Sequence, residues 1–192
     1  VVKVSTIGGS IAQSSGGAKS FKYGTTKDYI LSLKVVLADG TLMSLGSGTI
    51  KEAVGYHLNQ LIIGSEGTLA IVVEAELKLI PKPETNALIT AYFDSIETAV
   101  AGVNGIISER IFPATIDFMD KNSLKAIEDF KQTGILTDKE CALILEVDGM
   151  AKTLNYQIEA VENILKDFQA SEIQISKTDD EYEKIWSARR AS

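Results

Sequence analysis

The sequence predicts an α+β protein built in two parts, and three observations carry that prediction. Residues 1–82 hold 8 basic and 6 acidic residues, net +2, whereas residues 83–192 hold 11 and 20, net −9. Glycine divides at the same place, with 11 of 15 before residue 83. Beyond Pro81-Lys82-Pro83, short apolar runs alternate with segments of helical period. The two prolines fix φ and hold their neighbours extended, so they form a stiff joint between parts 1–82 and 83–192.

The first part opens on Ile7-Gly8-Gly9-Ser10-Ile11-Ala12-Gln13-Ser14-Ser15-Gly16-Gly17, small residues that let a backbone approach a ligand closely. Their N–H groups could form an anion nest; the plainer reading is a surface loop with a short helical turn. Tyr29–Ala38 is rich in β-formers. Asp39-Gly40 reads as a two-residue hairpin turn, with Thr41–Leu45 pairing back. A short helix or turn occupies Lys51–Ile63. Gly64-Ser65-Glu66-Gly67-Thr68-Leu69 then reads as a tight turn ahead of a strand, Ile71–Ile80. Neither a P-loop nor a Rossmann fingerprint is present, because the Gly-Lys-Ser/Thr ending and the GxGxxG spacing are both missing.

In the second part, Thr85–Phe93 reads as a strand. Ser95 caps a helix that Gly102 and Gly105 weaken by about 1 kcal/mol each. Ala114–Met119 is a strand, and Asp120 caps a helix with Leu124, Ile127 and Phe130 on its apolar face. Cys141–Val147 is a strongly apolar strand ending at Asp148-Gly149. A longer helix carries Leu154, Ile158, Val161, Ile164, Leu165 and Phe168. Ile173 and Ile175 mark another strand, and Asp179 caps a last helix through Tyr182, Ile185 and Trp186. Such alternation suits an α/β sheet. Two β-α-β pairs in about 110 residues also fit a ferredoxin-like antiparallel sheet with helices on one face.

Composition excludes several functions. The chain is 45% hydrophobic and 23% charged, ordinary globular material, and its net charge of −7 argues against a nucleic-acid partner. No apolar run reaches the roughly 18–20 residues of a membrane span. The single cysteine, Cys141, excludes an internal disulfide and a Cys-based zinc site, and reads as inert core. The single histidine, His57, excludes a two-His metal site and reads as structural or exposed, so no metal is expected. Trp186 and the Phe118-Met119 pair read as core. Val1-Val2-Lys3-Val4 carries neither Met nor a secretory leader, so the chain reads as a piece of a longer polypeptide.

Three stretches carry a family resemblance. The first is Ser5–Ala12 through Gly16-Gly17 and Lys22-Tyr23-Gly24-Thr25-Thr26-Lys27-Asp28-Tyr29. The second is Val35-Val36-Leu37-Ala38-Asp39-Gly40, then Gly55-Tyr56 and Leu61–Ile71. The third is Ile111–Asp120 with Ile185-Trp186-Ser187-Ala188-Arg189-Arg190. In order and wording they resemble the FAD-linked oxidases of the p-cresol methylhydroxylase (PCMH)/vanillyl-alcohol oxidase type, in the glycolate oxidase and D-lactate (D-2-hydroxyacid) dehydrogenase branch. Ser10, Ser14-Ser15, His57 and Ala70 depart from the family's usual Asn, Asn-Ala, Asp and Gly.

The resemblance implies the latter part of a PCMH-type FAD-binding domain over 1–82 and a ferredoxin-like cap (substrate) domain over 83–192, incomplete at its end. It implies FAD as cofactor. Gly8, Gly9, Ser10, Gln13, Ser14, Gly16, Gly17 and Gly24 would lie along it, with Gly64, Glu66, Gly67 and Ile71 as a second wall. It implies a small 2-hydroxy acid substrate whose carboxylate meets Arg189, with Arg190 as the fallback, and an electron acceptor or partner subunits taking electrons onward. The expected location is cytoplasmic, at most peripheral to a membrane. With one histidine, no catalytic residue is expected in this piece, which alone should hold little or no FAD and show no turnover. The competing expectations are an alkyl-ether-lipid synthase type of FAD-linked oxidase and a non-enzymatic ferredoxin-like binding module.

Overall fold

The computed structural model describes residues 5–132, 134–176 and 178–189. The chain separates into two units, Val1–Pro81 and Lys82–Ser192.

In the first unit, α1 (Ile7–Gln13) and the single turn α2 (Ser20–Tyr23) lead through a 3-10 turn at Thr26–Tyr29 into β1 (Ile30–Val36). Then follow β2 (Leu42–Leu45), α3 (Leu58–Ile62) and β3 (Ile71–Leu77). The three strands form an antiparallel sheet in the order β2-β1-β3. Its buried cluster joins Leu33 and Val35 of β1 to Ile11 of α1 and Ile62 and Ile63 at the end of α3. Periodicity located the strands, but the hairpin differs from expectation. Leu37 N–H bonds the Thr41 carbonyl at 2.9 Å and Gly40 N–H bonds the Leu37 carbonyl at 2.9 Å. The loop is therefore three residues, Ala38-Asp39-Gly40, and only Gly40 takes positive φ (+84°). A type I turn followed by a left-handed glycine explains the extra residue. Asp39 reinforces it by accepting the Thr41 N–H at 2.9 Å.

In the second unit, β4 (Thr85–Phe93), α4 (Ile96–Ser108), β5 (Thr115–Asp120), α5 (Lys121–Lys131), β6 (Cys141–Gly149), α6 (Ala151–Asp167), β7 (Glu172–Ile175) and α7 (Asp179–Arg189) follow in order. The strands make an antiparallel sheet ordered β5-β6-β4-β7, the first and third strands central as in a ferredoxin-like fold.

The helices do not lie on one face. Ala87, Ile89, Ala91 and Phe93 of β4 and Leu143, Leu145 and Val147 of β6 pack with α4 and α6. Leu88 and Tyr92 of β4 and Ala142 and Ile144 of β6 point the other way, onto Leu124 and Ile127 of α5 and Tyr182, Ile185 and Trp186 of α7. Burial on both faces is why these two strands read as nearly continuous apolar runs.

The helix ends follow local chemistry. Ser95 caps α4, accepting the Glu97 and Thr98 N–H groups. Asp120 caps α5, accepting the Ser123 N–H at 2.9 Å. Helix α7 is capped one residue earlier than expected. Thr178 Oγ1 accepts the Glu181 N–H at 3.3 Å, and the Glu181 carboxylate accepts the Thr178 N–H at 3.2 Å, a reciprocal capping box. Phe130, expected on the apolar face of α5, is 78% exposed, whereas Leu124 and Ile127 are buried. Of the Phe118-Met119 pair, Met119 is core and Phe118 is exposed, because successive strand residues face opposite sides. Cys141 is buried, and that burial pushes its thiol pKa up.

Gly102 and Gly105 serve packing. A Cβ at Gly105 would stand 2.5 Å from Phe168 Cε2 and 3.0 Å from Ile164 Cγ2, so the missing side chain lets α4 approach α6.

Candidate functional site

In the first unit, the two glycine segments come together around α1. Thr6 caps this helix, its Oγ1 accepting the Gly9 N–H at 3.0 Å. The helix then carries Gly8, Gly9, Ser10 and Gln13 and ends at Ser14, which takes left-handed geometry (φ 49°). The Gly64–Gly67 turn closes that end. Gly64 N–H donates to the Ile11 carbonyl at 3.0 Å and Glu66 N–H donates to the Ala12 carbonyl at 2.9 Å. The carbonyls of a last helical turn have spare acceptor capacity, and here the Ser14 cap N–H and the second segment both use the Ile11 carbonyl. Gly64 takes φ +82°, and a Cβ there would lie 3.4 Å from Ser14 Cβ.

The chain beyond α1 folds back by hydroxyl bonds. Gly17 N–H donates to Ser20 Oγ at 2.8 Å, and Thr26 donates to the Ser15 carbonyl through both N–H (3.0 Å) and Oγ1 (2.8 Å). Asp28 accepts the Thr25 N–H at 2.7 Å, so a Cβ at Gly24 would collide with the Asp28 carboxylate. Tyr29 Oη donates to the Tyr23 carbonyl at 2.7 Å.

Residues of α1, the chain from Ser15 to Ile30 and Leu77 line an open pocket of about 410 Å³. Its wall is rich in hydroxyls, including Thr6, Ser15, Ser20, Thr25 and Thr26. Of the residues expected along the cofactor, Ser10, Gly17 and Gly24 line this pocket. Gly8, Gly9, Gln13, Gly16, Gly64, Glu66, Gly67 and Ile71 are exposed and Ser14 is half-buried, all in the same unit. A Cβ at Gly8 or Gly17 would meet nothing within 4 Å, leaving the backbone open to close approach. Glu66 is in the left-handed region (φ 52°), and its backbone makes the bond to α1 while its side chain faces solvent. His57 is exposed at the start of α3.

In the second unit, Arg189 stands in the last turn of α7, and its Nε donates to Asp117 Oδ2 on β5 at 2.7 Å. Both side chains are partly exposed, 39% and 22%. Arg190 lies outside the described residues. Along the same helix, Trp186 is half-buried, its ring centroid 6.3 Å from that of Tyr182.

The sequence reading missed a buried polar group beneath α7. Glu146, on β6, has no solvent exposure. Asn86 Nδ2 donates to Glu146 Oε1 at 2.8 Å and to Tyr182 Oη at 3.1 Å. The Tyr182 phenol pKa is pushed up to about 12, first by burial and then by the Glu146 charge. The available signal was one charged residue inside the apolar run Cys141–Val147.

Residues 82–192, more than half of the chain, match the family described as FAD linked oxidases, C-terminal domain. The chain belongs to the FAD-linked oxidases. Residues 1–46 match a second family, described as FAD binding domain. FAD is therefore the cofactor of the family to which this α+β chain belongs.

Among curated relatives, the glycolate oxidase subunit GlcD of Bacillus subtilis is 41% identical over 191 residues, 100% of this chain and 41% of that protein. GlcD of Escherichia coli K12 is 35% identical, covering 96% of this chain and 37% of that protein. The mitochondrial D-lactate dehydrogenase [cytochrome] 1 of Saccharomyces cerevisiae is 31% identical, covering 97% and 32%. The chain thus spans about two fifths or less of the length of these relatives.

Among solved structures, an alkyldihydroxyacetonephosphate synthase aligns with TM-score 0.74 at 24% identity over 96% of this chain and 37% of its own. A substrate-bound p-cresol methylhydroxylase aligns with TM-score 0.70 at 15% identity over 93% and 40%. At these identities the likeness concerns the fold. Among the described residues, no helix is long and apolar enough to cross a membrane.

Proposed function

We propose that this chain is the middle of a flavin-dependent enzyme that oxidises a D-2-hydroxy acid, of the glycolate or D-lactate type, to the 2-oxo acid. Residues 1–82 would supply the latter part of its FAD-binding domain and residues 83–192 most of its cap. The observation that supports the reading best is the match of residues 1–46 and 82–192 to the FAD-binding and FAD-linked oxidase families, together with the similarity to two glycolate oxidase subunits.

FAD, when bound, supplies the acceptor for the hydride leaving the substrate α-carbon. The chain's own residues bind and orient. The backbone of Gly8, Gly9, Gly16, Gly17 and Gly24 would lie along the cofactor, with the Ser10, Gln13 and Ser14 side chains beside it. Gly64, Glu66, Gly67 and Ile71 would form the opposite wall, which the bonds from Gly64 and Glu66 hold against α1. The net +2 of residues 1–82 suits a dianionic cofactor. Arg189 would receive the substrate carboxylate, a role suited to a planar guanidinium, with Asp117 fixing its Nε edge. No residue of this chain is assigned proton transfer.

The similarity to two glycolate oxidase subunits favours hydroxy acids over the alkyl-ether-lipid synthase chemistry of the structural neighbour. A purely structural binding module leaves the FAD binding domain match without a purpose. Turnover of D-lactate against D-lactamide by the full-length protein tests the carboxylate contact. Removing the charge should lower kcat/KM about ten- to hundredfold, the worth of a charged hydrogen bond. Equal turnover of acid and amide would sink the assignment.

A further inference from the structure

We propose that Glu146 is a positioning residue: through Tyr182 it fixes how α7 lies on the sheet, and so where Arg189 presents its guanidinium. This rests on the reading of Arg189 as the carboxylate-binding residue.

Glu146 stands on a face that is otherwise largely apolar. Cys141 through Asp148 are all buried, and the other inward residues of β6 on this face are Ala142, Ile144 and, at the strand's end, Asp148. A carboxylate taken out of water destabilises the fold unless it is hydrogen-bonded, and a well-packed apolar residue usually serves stability as well or better. What the carboxylate adds is direction. Asn86 of β4 bridges it to Tyr182 of α7, donating to the Glu146 carboxylate at 2.8 Å and to the Tyr182 hydroxyl at 3.1 Å, so three elements meet at one amide.

Helix α7 has use for such a latch. The apolar side chains it lays against this face are Tyr182, Ile185 and Trp186, all half-buried. Apolar contact is non-directional and leaves a helix free to rotate or slide by small amounts. Tyr182, Trp186 and Arg189 are spaced i, i+4 and i+7, so they share one helix face. That face spans about 10 Å between Tyr182 and Arg189 at the helical rise. At one end Asn86 ties Tyr182 to Glu146; at the other Arg189 is tied to Asp117. Both anchors lie on the same face of adjoining strands, for Thr115 pairs directly with Glu146 and Asp117 is two residues along from it. Loosening the Glu146 end should therefore misplace Arg189 without touching it.

The test uses the full-length flavoprotein and reads KM and kcat for D-lactate or glycolate, flavin absorbance per protein, and melting temperature. Glu146→Leu should raise KM about tenfold with kcat within about threefold and flavin content unchanged, the pattern of lost uniform binding. Glu146→Gln keeps an acceptor for Asn86, and with it the bridge to Tyr182, and should restore KM to within about threefold of the parent. Tyr182→Phe removes a single hydroxyl and should raise KM in the same direction, which decides the matter even if Glu146→Leu does not fold. Arg189→Lys is the reference variant. A raised KM in Arg189→Lys with unchanged KM in Tyr182→Phe overturns the positioning role alone, leaving Glu146 as a stability residue. An unchanged KM in Arg189→Lys overturns the carboxylate assignment and the positioning role with it.

Discussion

The N–H of Gly64 donates to the carbonyl oxygen of Ile11 at 3.0 Å, joining two glycine segments through the end of one short helix. Gly64 makes this bond at φ +82°, a conformation that costs residues with a Cβ roughly 1–2 kcal/mol. Gly64→Ala should therefore destabilise the full-length protein by about that amount and lower its flavin content. Thermal melts and the ratio of flavin to protein absorbance check both effects. Full flavin occupancy in a destabilised variant would separate the α1 contact from cofactor binding.

The paired glycines of α4 make opposite predictions. At Gly102 the nearest atoms to a new Cβ lie at 3.5–3.8 Å, ordinary contact, so Gly102→Ala should gain up to about 1 kcal/mol from helix propensity. At Gly105 the new Cβ meets Phe168 at 2.5 Å and Ile164 at 3.0 Å, so Gly105→Ala should lose about 1–3 kcal/mol to overpacking. Denaturant unfolding of the two variants distinguishes space from propensity.

Asp120 links stability of the second unit to acid. Hydrogen bonds from Ser123, first its hydroxyl and then its N–H, hold the Asp120 carboxyl below its usual range. A depressed folded pKa contributes stability above the unfolded value, which is lost as pH falls through the folded value. Asp120→Ala should lower the melting temperature at neutral pH and flatten its fall at acid pH. Melting curves from neutral pH downward provide the comparison.

Tyr182 gives the opposite sign. Its folded pKa is pushed up to about 12 from an ordinary 10.0, so the folded state keeps a proton that the unfolded chain releases. Its contribution is present below pH 10 and disappears as pH rises toward 12. Tyr182→Phe should remove that part of the alkaline loss. The parent-minus-variant ultraviolet difference spectrum should place the phenolate of Tyr182 well above the ordinary tyrosine range.

Local chemistry made much of the fold readable. The apolar runs at Ile30–Val36 and Thr85–Phe93 and the caps at Ser95 and Asp120 depend on neighbours in sequence, and those neighbours were visible. Features that depend on distant partners were not. The sequence reading put the helices on one face of the sheet; that both faces of β4 and β6 are covered, and by which helices, is decided only by packing. Ala38 joins the hairpin loop because of the register between β1 and β2, which the Asp-Gly pair does not encode. Gly105 reads as a weak point in a helix until Phe168 and Ile164 are beside it. In the candidate site, Gly8 and Gly64 were visible as motifs and Arg189 as a residue type. Asp117, Asn86 and Tyr182 acquire meaning only when three strands and a helix bring them to Arg189 and Glu146.

The most direct measurement is the visible spectrum of the full-length protein, recorded without oxygen before and after adding D-lactate or glycolate. A yellow protein whose flavin bands bleach on addition of at least one of these acids is the predicted result. A colourless protein, or flavin bands that neither acid changes, would contradict the account.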